Sequence, residues 1–144
     1  MNSRKWLDKN RIKDIKDRFT QATPATEQLP TLEFTEGIPV FLRTVEDSRD
    51  IGSQYGPREI VDIEIIEPAT VEENPPGTKL TLWLTQEVIK SKVKNFRNEK
   101  GRLPGGLELC VVALGRRTGA KKFKYNDYWI GTPEQAKEIL GDLM

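Results

Sequence analysis

The side chains able to do chemistry in this chain are cations in runs, aromatics at strand-like positions and two spaced carboxylates. The densest cationic run, "RRTGAKKFK" at 116–124, has five basic groups and no acid. Arg116, Arg117, Lys121 and Lys122 bracket a glycine there. Four cations without a local counter-ion read as an electrostatic clamp for a polyanion, although solubility alone is a sufficient reason for such a run. Phe123 and Tyr125 follow at once and offer two flat faces. In "KLTLWLT", residues 79–85, alternation puts Leu80, Leu82 and Leu84 on one face of a strand and Lys79, Thr81 and Trp83 on the other. An indole on the non-core face can stack on a planar ring, and Thr81 is small enough to let that ring lie flat. The bland alternative is an indole covered by a terminal helix. In "EIVDIEII", residues 59–66, Val61, Ile63 and Ile65 point in and Asp62 and Glu64 point out. With a neighbouring acid, these two could hold Mg²⁺ and support hydrolysis.

The absences narrow the chemistry. The chain has no histidine, which excludes His-based acid–base catalysis and His-ligated zinc. One cysteine, Cys110, excludes an internal disulfide framework and a multi-Cys zinc site, and a buried thiol fits a reducing compartment. The glycine-rich "GRLPGGLE" precedes a strand pattern rather than a helix, so it is no phosphate-binding P-loop. A binding protein without a cofactor is expected, not an enzyme. No apolar run approaches the ~20 residues that span a bilayer, and the N-terminus lacks a signal-peptide core, so a cytoplasmic, intracellular chain is expected.

The elements that must position these groups follow from periodicity. Ser3–Phe19 reads as a basic amphipathic helix with Ile12, Ile15 and Phe19 at helical spacing, and 20–30 as a polar, proline-bearing linker. Strand patterns run from Thr31 to Val45, bent at Gly37-Ile-Pro39, then over Glu59–Ile66, Lys79–Thr85, Leu107–Leu114 and Lys122–Ile130. Gln86–Asn98 carries a helical stripe with Thr85 placed to cap it. Pro133–Leu143 reads as a closing helix within a C-terminal segment, 132–144.

Charge is segregated. The net value is only +1. Yet residues 1–19 hold seven basic and three acidic groups, 46–73 two against nine, and 86–102 six against two. A polyanion responds to such local fields rather than to the average.

Five strands with one helix between the third and fourth is the order of the OB-fold, a small Greek-key barrel. The runs "FTEGIPVFLRTVEDSRDIGSQYGPREIVDIEI", "GTKLTLWLT" and "RRTGAKKFKYNDYWI" resemble single-stranded-DNA-binding OB domains of archaeal and viral type, relatives of replication protein A and bacterial single-strand-binding protein. The resemblance covers about 31–131 and rests on pattern and arrangement. It implies an all-β, five-stranded barrel with short N- and C-terminal helices, acting in replication, repair or recombination. In such domains the strand lies across strands two and three, flanked by the 1–2 and 4–5 loops. The implied site is Lys79, Thr81 and Trp83 on strand three, Tyr55 and Arg58 at the 1–2 loop, and Phe41 and Arg43 on strand one. Arg116, Arg117, Lys121, Lys122, Phe123 and Tyr125 complete it at the 4–5 loop. Phe41 reads equally well as core. Asp62 and Glu64 would accept hydrogen bonds from bases, pair with Arg58 and Arg43, or mark a surface that the ligand avoids. RNA instead of DNA, and a protein partner met through the N-terminal helix, remain open readings.

Overall fold

A computed structural model describes residues 9–22, 29–52, 54, 56–119 and 124–143. Tyr55, Lys121, Lys122 and Phe123 lie outside the described residues, as do the beginning of the N-terminal helix and most of the linker.

The chain is mostly β: one antiparallel sheet of six strands with a few short helices. The strands are β1 (Val40–Thr44), β2 (Arg49–Ile51), β3 (Arg58–Ile65), β4 (Lys79–Trp83), β5 (Glu108–Thr118) and β6 (Lys124–Gly131). The helices are α1 (Lys9–Ala22), α2 (Glu87–Lys92) and α3 (Pro133–Leu140). Among the described residues no helix is long and apolar enough to cross a membrane.

The expected first strand is shorter and broken. Thr31 makes only an isolated bridge, and β1 starts at Val40, after Gly37 turns the chain with φ of 80°. β1 and β2 then run along one side of β3, with Thr44 opposite Ile63 and Arg49 opposite Ile60. The first strand spends more residues than β3 over this stretch, and the excess bulges out between them. β4 pairs with the opposite side of β3, and β5 pairs with β1 and then with β6.

Alternation in β1 supplies two cores. Val40 and Leu42 point into the main cluster with Val61, Ile63, Leu80 and Leu82. Phe41 points the other way, against Cys110, Ala136, Trp129 and Leu140. α3 covers that second face. It starts from a capping box, in which Thr132 Oγ1 accepts from the Gln135 N–H and the Gln135 side chain accepts from the Thr132 N–H, with Pro133 in the first turn.

Two helix boundaries differ from expectation. α1 runs on to Ala22, into the expected linker, and α2 is capped by Gln86, not Thr85, without a side-chain hydrogen bond. α2 gives way to a 3₁₀ turn at Lys94–Phe96 while still burying Ile89 and Val93.

Candidate nucleic-acid interface

The outer face of β3 and β4 is a ladder of paired charges. Lys79, Glu64, Arg43 and Glu108 stand in register across four strands. Arg43 donates to Glu108 at 2.7 Å and to Glu64 at 3.2 Å. The bonds to Glu108, with those to Glu64, raise its pKa above the usual arginine value. Arg49 holds Asp62 at 3.0 Å. Arg43 is therefore committed to two carboxylates, and Glu64 and Asp62 to arginines. Lys79 is exposed at the end of this row, and Arg58 is half-buried at the start of β3.

At the other end of the face, the chain before β1 overturns one expectation. Pro30–Leu32 lies parallel to the outer edge of β4: Thr81 N–H donates to the Pro30 carbonyl, and Leu32 N–H to the Thr81 carbonyl, both at 2.8 Å. The Thr81 hydroxyl donates to the Leu29 carbonyl, and Thr81 has no exposed surface. It is a buried anchor for this segment and cannot bed a ligand ring. Trp83 is half-buried, and its Nε1–H donates to Thr31 Oγ1 at 3.0 Å. Its cross-strand partner Ile60 is fully buried, so this end of the face is closed by apolar groups. Phe41 is the second correction. It is 1 % exposed, because α3 turns the outer side of β1 into a second core.

The basic segment 86–102 is partly spent: Lys92, Arg97 and Arg102 are paired, while Lys90, Lys94 and Lys100 are exposed. Glu59, on β3, accepts both Nη groups of Arg97 at 2.8 Å and the Ser48 hydroxyl at 2.6 Å. Arg102 chelates Asp50 and approaches Glu59 at 3.7 Å. Burial alone would push the Glu59 carboxyl up, but the hydrogen bonds from Arg97 and Ser48 outweigh it and hold the group below the usual glutamate value. Much of the opposing charge seen along the sequence thus cancels in the fold.

The β5–β6 arm also remains open. From Gly115 to Thr118 and from Lys124 to Asp127 these strands pair, among the described residues, only with each other. A register shift at Ala113/Gly115 bends the arm, and Gly115 has φ of 80° where a Cβ would meet the Glu36 carboxylate at 2.6 Å. Arg116, Arg117, Thr118, Lys124, Tyr125 and Asn126 are all exposed. Arg117 stands opposite Tyr125 and forms an ion pair with Asp127 at 3.2 Å. Asp127 is buried and also accepts from Lys92 at 3.0 Å, which ties the base of the arm to α2. The Lys92 hydrogen bond, with the Tyr128 N–H and the charges of Lys92 and Arg117, holds the Asp127 carboxyl below the usual aspartate range despite burial.

The structure thus sets Arg117 beside Tyr125 on one face of the arm and Arg116 with Lys124 on the other, and leaves Trp83, Lys79, Arg58 and Arg43 on a different surface, where Arg43 is already paired. Two functional features escaped the sequence reading. Lys124 faces solvent beside Thr118, and its place in the basic run was signal enough. Asp127 anchors the arm through partners 10 and 35 residues away, which no local pattern announces. Among the described residues no group of three or more acidic, histidine or cysteine side chains converges to hold a metal ion. Comparison of the chain with protein-family models and with curated proteins returns no match.

Proposed function

We propose that this protein binds single-stranded nucleic acid, single-stranded DNA in the first instance, without reading its sequence, as an OB-like β-domain of replication or repair. The β5–β6 arm carries the proposal: on this two-stranded projection exposed Tyr125 and Arg117 lie on one face and exposed Arg116 and Lys124 on the other, so a strand wrapping the arm meets cations on both sides. In the sequence, Lys121 and Lys122 fall between its strands. Phosphates are met by the cations, and an unpaired base stacks on Tyr125, at about 1–3 kcal/mol per stacked base. Phosphate contacts of this kind position a strand without discriminating bases.

The strand order supports the same reading. β4, β3, the broken β1–β2 strand, β5 and β6 follow one another, with α2 between β4 and β5. This is the OB succession short of the closing pairing between its third and fifth strands. Pro30–Leu32 occupies the β4 edge where that pairing would form. The ladder on β3 and β4 moves the expected ligand path away from the centre of that face and toward the arm. The role is binding alone, with no catalytic step or cofactor.

The test is a titration of fluorescently labelled oligo-dT, oligo-rU and a duplex at low salt, followed by anisotropy. Binding to oligo-dT tighter than to the duplex is the expected result. Oligo-rU binding more tightly than oligo-dT would reassign the ligand to RNA, and no binding to any of the three would refute the function.

A further inference from the structure

An open cleft of about 370 Å³ lies between α2 and the β5–β6 arm, lined by Glu87, Val88, Ser91 and Lys92 of the helix and by Tyr125 and Asp127 of β6. Its volume falls in the range of ~300–1,000 Å³ typical of small-ligand sites. Tyr125 and Asp127 share one face of β6, the face that also carries Arg117. The side of the arm that presents the exposed tyrosine ring therefore looks at the helix.

Helical spacing gives the cleft a floor, a wall and a lip. At ~100° per residue, the side chains around α2 and the 3₁₀ turn after it follow in the order Lys92, Val88, Ser91, Glu87, Lys94 and Lys90. Ile89 and Val93 take the remaining side and enter the core. The floor is fixed. Lys92 Nζ donates to Asp127 Oδ1 at 3.0 Å and to the Tyr128 carbonyl, and Arg117 pairs with the same aspartate at 3.2 Å. Half-buried Val88 is an apolar wall on the helix, and Tyr125, 39 % exposed, offers its ring from the arm. Ser91 and Glu87 form the lip, and Lys94 and Lys90 stand exposed outside it.

This arrangement separates a nucleotide into its parts. A phosphate is kept out, because its way in passes the Glu87 carboxylate and the cationic groups of the floor are already held by Asp127. A base is neutral and planar, with one face suited to the tyrosine ring. The Ser91 hydroxyl both donates and accepts, so it meets the edge of any base. We propose that the α2–arm cleft is a base-binding subsite: one base inserts between Tyr125 and Val88, and the backbone crosses the lip so that its phosphates meet Lys90 and Lys94. The subsite rests on the single-strand reading above and adds the helix to it as the second side of the ligand path. It also gives a role to the exposed lysines of the 86–102 segment.

The experiment plugs the cleft. Ser91→Cys is capped with N-ethylmaleimide, a neutral reagent, while native Cys110 is fully buried and stays unreacted. Anisotropy with labelled oligo-dT compares the capped and uncapped forms of this variant, and thermal melting checks that both are folded. Capping is expected to weaken binding at least tenfold. In the parallel variant, Lys90→Ala/Lys94→Ala, loss of two phosphate contacts is expected to flatten the slope of log affinity against log salt by about 1.4. Equal affinity of the capped and uncapped forms, or an unchanged salt slope in the double variant, would overturn the subsite while the parent chain still binds oligo-dT and the arm reading stands. A parent chain that binds no oligonucleotide would refute the binding function and the subsite together.

Discussion

Replacing Arg116 and Lys124 together by alanine gives the sharpest measure of how the arm meets a strand. Both side chains are exposed, and neither shares a salt bridge with a described acid. If each neutralises one phosphate, each contributes about 0.7 to the slope of log affinity against log salt on single strands. The double variant should therefore flatten that slope by about 1.4. Relative to the affinity extrapolated to 1 M salt, this is a loss of about 25-fold at 0.1 M, or about 1.9 kcal/mol. Arg117 provides the internal comparison. Asp127 already holds it at 3.2 Å, so Arg117→Ala should change the slope by less than either exposed cation. The assay is anisotropy with labelled oligo-dT at four or five salt concentrations, with thermal melting as a check on folding. A slope unchanged in the Arg116→Ala/Lys124→Ala protein would refute the arm as the phosphate-binding element. A slope reduced equally for oligo-dT and oligo-dC would fit contacts that position the strand without reading it.

Other outcomes follow from the same geometry. Tyr125→Ala should lower affinity by about 1–3 kcal/mol while Tyr125→Phe retains it, and both should melt like the parent because the ring is 39 % exposed. Glu59→Ala should destabilise the fold by about 2–4 kcal/mol in urea unfolding, since it strands Arg97, which is only 17 % exposed. Because the folded-state pKa values of Glu59 and Asp127 lie below their unfolded values, these groups stabilise the fold above about pH 4. That contribution is lost as pH falls through the lower folded values, and Glu59→Gln should remove part of the acid limb in melting temperature. Gly131→Ala should cost about 1–3 kcal/mol in the same assay, because its Cβ would meet the Trp129 ring and the Gln135 side chain, each at 2.7 Å.

Strand faces were legible wherever one side of a strand is core. Leu80, Leu82 and Leu84, and Val61, Ile63 and Ile65, all enter the main cluster as their alternation requires. What covers the opposite face was not legible, because alternation says which way a side chain points and nothing about what lies there. Phe41 was lost to α3, which arrives from the far end of the chain, and Thr81 to Leu29–Leu32, a stretch that straddles the end of the expected linker and the start of the expected first strand. The charge field was misleading for a related reason. Arg43 and Glu108 are 65 residues apart, and Arg97 and Glu59 are 38 apart, so runs of like charge along the chain became pairs across it. Of that run, Arg116 and Lys124 stay exposed, because a two-stranded arm has few neighbours to neutralise them.

The most direct measurement of the central claim is residue-resolved: amide chemical shifts of the ¹⁵N-labelled protein during titration with unlabelled oligo-dT at low salt. Saturable shifts concentrated at Gly115–Gly119 and Lys124–Asn126, with little change along Asp62, Glu64 and Arg43, are expected. Shifts confined to the β3–β4 face, or none at all at strand concentrations well above the protein, would contradict single-strand binding by the arm.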